Sequence, residues 1–214
     1  MGRPRQHDLD DLLQHARALW VEKGIGAVTM RALGSGSGAS NGALYHAFGS
    51  RDGLLASVWA WEAERFLAIQ RELVERALGD GDPVTALVAA ALAPASYAVG
   101  NEDSARLLLS ADADELMTPD LGADIHAQLL RLQLDLSSLL TDLAAALWDR
   151  RDRGAVTTVR YCVVNLPGAL LLKANAITDP LAHHALERAV RGIAAEPPPR
   201  ARPHLKPATM EKSH

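Results

Sequence analysis

Aromatic residues make up only 4% of the 214-residue chain, and cysteine occurs once, at Cys162. A lone cysteine excludes an internal disulfide framework and fits a reducing compartment. Strands draw on β-branched and aromatic side chains, so this scarcity beside abundant Leu and Ala favours helix. No uninterrupted apolar run approaches the roughly 20 residues needed to cross a bilayer. The opening MGRPRQHDLDD lacks the apolar core of a secretory signal. The expectation is a cytoplasmic protein with no membrane partner. An overall excess of positive charge is missing too, since the net charge is −4. Its distribution is uneven, however. Residues 1–51 hold Arg3, Arg5, Arg17, Lys23, Arg31 and Arg51 against Asp8, Asp10, Asp11 and Glu22, a net +2 that leaves −6 for the rest. Such asymmetry is a hint of a basic contact module on an acidic body.

Apolar residues recur at helical spacing almost throughout. Over 8–23, Leu9, Leu12, Leu13, Ala16, Leu19 and Trp20 share one face, and Gly24 closes the helix. Thr29, Ser40 and Ser50 are suited to N-cap three further helices, to about Ser37, Phe48 and Leu78. Five more are expected: Pro83 to Val99, Glu102 to Ala111, Thr118-Pro119 to Arg151, Thr157 to Ala176 and Pro180 to Ala195. Residues 196–214 are rich in proline and poor in apolar side chains, which predicts a disordered tail. The fold class expected is all-α, divided as 1–49, 50–195 and the tail 196–214.

One stretch invites two chemistries. Gly34-Ser35-Gly36-Ser37-Gly38-Ala39 fits the dinucleotide pattern G-x-G-x-x-A, with Asp52 near where a ribose-binding acid would stand. That fingerprint needs a preceding strand and alternating strands and helices around it, and neither is found here. Two short helices joined by a glycine turn fit better, as a helix-turn-helix. In the second of them, Leu44 and Phe48 lie one turn apart and face inward. Gly42, Ala43, Tyr45 and His46 face outward, with Asn41 at the exposed amino end. That outward face has little bulk near its start and carries hydrogen-bond donors suited to phosphates or base edges.

Taken together, these residues resemble the TetR family of bacterial transcriptional regulators. The resemblance runs through LWVEKGIGAVTMRAL, the Gly38-x-Ser40 turn, Gly42-Ala43-Leu44-Tyr45-His46-Ala47-Phe48 and Ser50-Arg51-Asp52-Gly53-Leu54-Leu55, about 50 residues in all. It implies an amino-terminal three-helix helix-turn-helix DNA-binding domain and a larger helical domain for ligand binding and dimerisation. By position, Thr29 and Arg31 would touch phosphates, while Ser40, Asn41, Gly42, Ala43, Tyr45 and His46 would face the major groove or its rim. Arg51 would hold the DNA backbone, and Arg3 and Arg5 would form a basic arm. Two departures stand out. Gly34 and Gly36 occupy helix-2 positions where alanine would be worth roughly 1 kcal/mol each, and Asn41 stands where lysine is frequent.

In the second half, Val159, Val163, Leu166 and Leu170 line one side of the penultimate helix, and Leu186, Val190 and Ile193 one side of the last. Two such pairs would build a four-helix bundle across a two-fold axis, making a homodimer; the alternative is that they close a monomeric core. Pro94 and Pro167 should kink their helices and open space for a ligand. Tyr97, His126, Trp148, Tyr161 and Asn165 are the polar-capable candidates to orient a small molecule. Cys162 reads as either an oxidant sensor or an inert buried thiol. His183-His184 point in different directions on a helix, so no metal site is assigned, nor any cofactor. Ser, His and Asp show no triad spacing, so the chain is not expected to be an enzyme. The expectation is a ligand-responsive repressor that binds a near-palindromic double-stranded operator as a dimer and is released by an inducer. The alternatives are a dimeric ligand-binding scaffold with weak or lost DNA binding, and a nucleotide-binding enzyme.

Overall fold

The computed structural model describes residues 6–109, 116–118, 121–173 and 175–200. Among them there is no strand, which removes the dinucleotide-fold reading. The elements are α1 (Gln6–Lys23), a 3-10 turn (Ile25–Ala27), α2 (Met30–Ser37), α3 (Asn41–Phe48), α4 (Arg51–Gly79), α5 (Pro83–Ala98) and α6 (Glu102–Leu109). They are followed by α7 (Ala123–Trp148), α8 (Arg153–Arg160) and α9 (Pro180–Ala194). Beyond Arg160 the α8 helix continues through π-helical turns at Tyr161–Asn165 and Gly168–Lys173.

Two large apolar cores organise these helices. The amino-terminal core joins Leu13, Ala16 and Trp20 of α1 to Leu33 of α2, Leu44 and Phe48 of α3, and Leu54, Leu55 and Val58 at the start of α4. The second packs Val74 and Ala77 of α4 and much of α5 against Leu139, Leu140 and Leu143 of α7. Val159, Cys162 and Val163 of the α8 helix and Leu186 and Val190 of α9 complete it. α4 therefore belongs to both cores. Its 29 residues would span roughly 44 Å at 1.5 Å each.

Several sequence expectations are revised by this packing. α7 starts at Ala123 with Gly122 as its cap, so Thr118 does not begin it. α8 begins at Arg153 because Asp152 is its cap, accepting from the amides of Gly154 (3.1 Å) and Ala155 (3.3 Å). Pro167 sits between the two π-helical turns, since its missing N–H breaks the regular ladder. The segment Arg153–Leu172 is long and apolar enough to cross a membrane by length and composition, at mean hydropathy 1.4. A count of uninterrupted apolar residues does not register it. In the fold, its Val159, Cys162 and Leu171 are buried completely in the second core. Residues 196–200 are also placed: Arg150 Nη1 donates to the Pro198 carbonyl at 2.5 Å. The expected disordered tail thus loses its first residues, and 201–214 lie outside the described residues.

Candidate nucleic-acid interface

The helix-turn-helix is set by short-range capping. Thr29 Oγ1 accepts from the Ala32 amide at 3.1 Å, and Ser40 Oγ accepts from the Ala43 amide at 3.2 Å. Ser50 Oγ accepts from the Gly53 amide at 3.0 Å and opens α4. Between α2 and α3 the chain turns at Gly38, whose φ of 75° lies in the left-handed region that glycine enters without penalty. Its amide donates back to the Gly34 carbonyl at 3.0 Å. A Cβ at Gly34 would lie 3.1 Å from the Ala39 carbonyl oxygen. The glycine therefore lets α2 approach the turn closely, which accounts for one departure from the family pattern.

α3 is held by its inner face. Leu44 and Phe48 are buried in the amino-terminal core, each contributing about 1.5–3 kcal/mol. Ser40, Asn41, Gly42, Ala43 and His46 are exposed, and Tyr45 is 56% exposed. Arg31, on α2, is exposed as well. Thr29 and Ser40 use oxygen lone pairs as caps, which leaves each hydroxyl proton available to donate. The amino end of α3 adds a positive dipole end and backbone N–H groups, the features that favour phosphate.

Arg51 is engaged differently from the expectation. Its Nε donates to the Val28 carbonyl at 2.8 Å and its Nη2 to the Ile25 carbonyl at 2.6 Å. Two of its three nitrogens thus tie the start of α4 to the turn after α1. Arg3 and Arg5 lie outside the described residues.

The residues proposed for a ligand pocket are not brought together. Tyr97 is buried, its hydroxyl donating to Glu62 Oε1. Burial and the Glu62 carboxylate push its pKa up to about 12. His126, Tyr161 and Asn165 are exposed, and Trp148 donates from Nε1 to the Ala194 carbonyl at 3.2 Å. The interior holds polar groups that periodicity does not single out. Among the described residues, the buried polar side chains are Glu62, Gln70 and Ser104. Pro94 has no N–H for the Ala90 carbonyl one turn earlier, and Gln70 Nε2 supplies the missing donor at 2.8 Å. That bond orients the amide, leaving Gln70 Oε1 buried with no hydrogen-bond partner.

The interface residues expected on the last two helices also need correction. Val159, Val163, Leu186 and Val190 are buried within the single chain, and Leu166, Leu170 and Ile193 pack against the same core. These stripes close the protomer's own interior. The outward faces carry Tyr161, Val164, Asn165 and Ala169 on α8, and Leu181, Ala185, Arg188 and Gly192 on α9. Tyr161 and Leu181 are 54% and 73% exposed. Cys162 is buried, which raises its pKa to about 11 and matches the inert-thiol alternative.

The described helices form a capped helix-turn-helix module packed against a larger helical body. Residues 12–58 match the family model described as bacterial regulatory proteins, tetR family. The chain has the TetR-family fold, and its residues 12–58 carry that family's amino-terminal domain. Comparison with curated proteins returns no match. Solved structures extend the likeness beyond the amino-terminal module. The TetR family regulator PfmR from Thermus thermophilus is 20% identical, with TM-score 0.60 over 86% of this chain and 96% of that one. The superantigen PfiT is 21% identical, with TM-score 0.63 over 88% and 96%. FadR from Bacillus subtilis, in complex with stearoyl-CoA, is 12% identical, with TM-score 0.60 over 87% and 97%. At these identities the likeness establishes fold.

Proposed function

We propose that this chain is a cytoplasmic, ligand-responsive transcriptional regulator that binds a near-palindromic DNA operator as a homodimer. The observation that carries the reading is α3. Its inner face is locked by Leu44 and Phe48, while Ser40, Asn41, Gly42, Ala43, Tyr45 and His46 form an exposed, donor-bearing outer face. The outer face enters the major groove, with Thr29 and Arg31 on flanking phosphates. Arg51 acts mainly by fixing the module's shape, through the carbonyls it holds. With so few cations, affinity falls with salt at a modest slope.

The dimer forms through the outward faces of α8 and α9, centred on Tyr161, Val164 and Ala169 and on Leu181, Ala185 and Gly192. A two-fold pair places two copies of α3 about 34 Å apart, one helical turn of DNA. The effector is a small molecule held in the helical body, a reading supported by the FadR neighbour in complex with stearoyl-CoA. Repression relieved by an inducer follows if the effector prefers the DNA-incompetent arrangement, since equal affinity shifts nothing.

Selection of bound duplexes from a random DNA pool by the purified chain tests this directly. Enrichment of a two-fold symmetric site is the expected result. A folded dimer that enriches no sequence would instead make the chain a ligand-binding scaffold that does not read DNA.

A further inference from the structure

Four helices meet at one buried charge. Glu62, on α4, is 1% exposed and has both carboxylate oxygens satisfied by other elements. Its Oε2 accepts from Arg17 Nε of α1 at 2.9 Å, and its Oε1 accepts from the Tyr97 hydroxyl of α5. The Arg17 guanidinium also donates, through Nε and Nη2, to Ser104 Oγ of α6. The Tyr97 ring is steadied edge-on against Phe66 of α4, with centroids 5.6 Å apart. Beyond the ring lies a small apolar cluster of Tyr97, Ala98, Ala105 and Ile177, against which Leu172 packs near the end of the π-helical stretch. A single chain of contacts thus runs from the recognition module's first helix to this cluster within the body.

We propose that the Arg17–Glu62–Tyr97–Ser104 array is the interlock through which a rearrangement of the helical body reaches the DNA-reading module. The physical reason is that a buried carboxylate tolerates no intermediate state. Separation of α1 from α4, or of α5 from α4, leaves Glu62 buried without its cation or its donor, a strongly unfavourable arrangement. The array is therefore closed as a whole or opened as a whole. Apolar contacts between the same helices slide more gradually, because they have no directional partner to lose. An interlock of this kind makes the small displacement of one body helix a discrete event at α1, and α1 shares its core with α3. The inference rests on the regulator reading for its purpose, but the interlock itself is a property of the folded chain.

The test uses the full-length protein and two variants. The double substitution Arg17→Met with Glu62→Met removes both charges and so leaves no orphaned ion. Tyr97→Phe removes one hydrogen bond and keeps the ring. Amide hydrogen exchange is measured without DNA or effector. In the double variant, amides of residues 9–48 are expected to exchange at least tenfold faster, a larger factor than for α5 and α7, which follow only the modest loss of global stability left by the unpaired Tyr97 hydroxyl. Tyr97→Phe should move the same amides by severalfold. Parent-like exchange at 9–48 in a folded double variant would overturn the interlock. On a selected operator, Tyr97→Phe should lower affinity severalfold although Tyr97 lies inside the body. Unchanged affinity would overturn the link to α3. If the parent enriches no DNA, the regulator reading fails, while the exchange result still decides the interlock.

Discussion

Residues 29–53 and the interior of the helical body solve the same problem, the satisfaction of helix backbone groups, by different means. In the amino-terminal module the helix caps are local. Thr29, Ser40 and Ser50 each cap an amide three residues later, and Gly38 closes α2 in a left-handed turn. In the body the decisive partners are remote. Gln70 serves the carbonyl that Pro94 orphans 20 residues away, and Arg17 answers Glu62 across 45 residues. Local capping is what allows the module to keep its working face bare. Its shape is specified from behind and from its ends, so the outer face of α3 is free to carry chemistry. The body specifies itself through its interior, where Glu62 is committed to Arg17 and Tyr97, and Gln70 to a backbone carbonyl.

The contrast breaks most severely at Gly53, where the module joins α4. A Cβ there would sit 2.1 Å from the Phe48 carbonyl oxygen, so no side chain fits without moving the α3–α4 corner. Gly53→Ala is expected to destabilise the chain by about 3 kcal/mol or more, by analogy with severe overpacking, as read by urea denaturation. Gln70→Leu tests the remote mode. It should cost about 1–3 kcal/mol in the parent by leaving the Ala90 carbonyl unpaired. In a Pro94→Ala background the restored N–H takes over that carbonyl, so the cost should largely disappear. A double-mutant cycle with no coupling would refute the pairing.

Tyr45→Ala isolates chemistry from stability. Tyr45 is 56% exposed, so the melting temperature should hardly change while operator affinity falls about tenfold, roughly 1.4 kcal/mol. Anisotropy titration checks this, and unchanged affinity favours the scaffold reading. Gly36→Ala should stabilise α2 by up to about 1 kcal/mol, because the nearest atom to a new Cβ is His15 Cδ2 at 4.0 Å. Gly34→Ala should gain less, given its 3.1 Å approach to the Ala39 carbonyl.

The smallest effect concerns pH. The Arg150 guanidinium and the α8 amides hold Asp152 at a pKa of about 2, below its ordinary 3.8. A depressed folded value means that its stabilisation is present above about pH 4 and is lost as pH falls toward 2. Asp152→Asn should therefore flatten the acid limb of the stability profile over that window. Melting curves collected from pH 5 to pH 2 read the change.

The amino-terminal module was legible because its determinants are neighbours in the chain. A cap and the amide it serves are three residues apart, and Leu44 and Phe48 are one turn apart, so side-chain chemistry at known spacing suffices. The same logic placed the start of α4 at Ser50, whose hydroxyl caps the Gly53 amide. Periodicity tells which face of a helix is apolar but not what covers it. The stripe of Val159, Val163, Leu186 and Val190 suits a surface between protomers as well as it suits a core within one, and the fold uses it for the core. Only the packing of those helices against α5 in one shared core decided the matter. The same limit hid the carbonyl of Ala90, the commitment of Arg51 to Ile25 and Val28, and the burial of Glu62. Each is a pairing between residues 20 or more positions apart, and burial energy at such range is set by tertiary packing, not by local spacing.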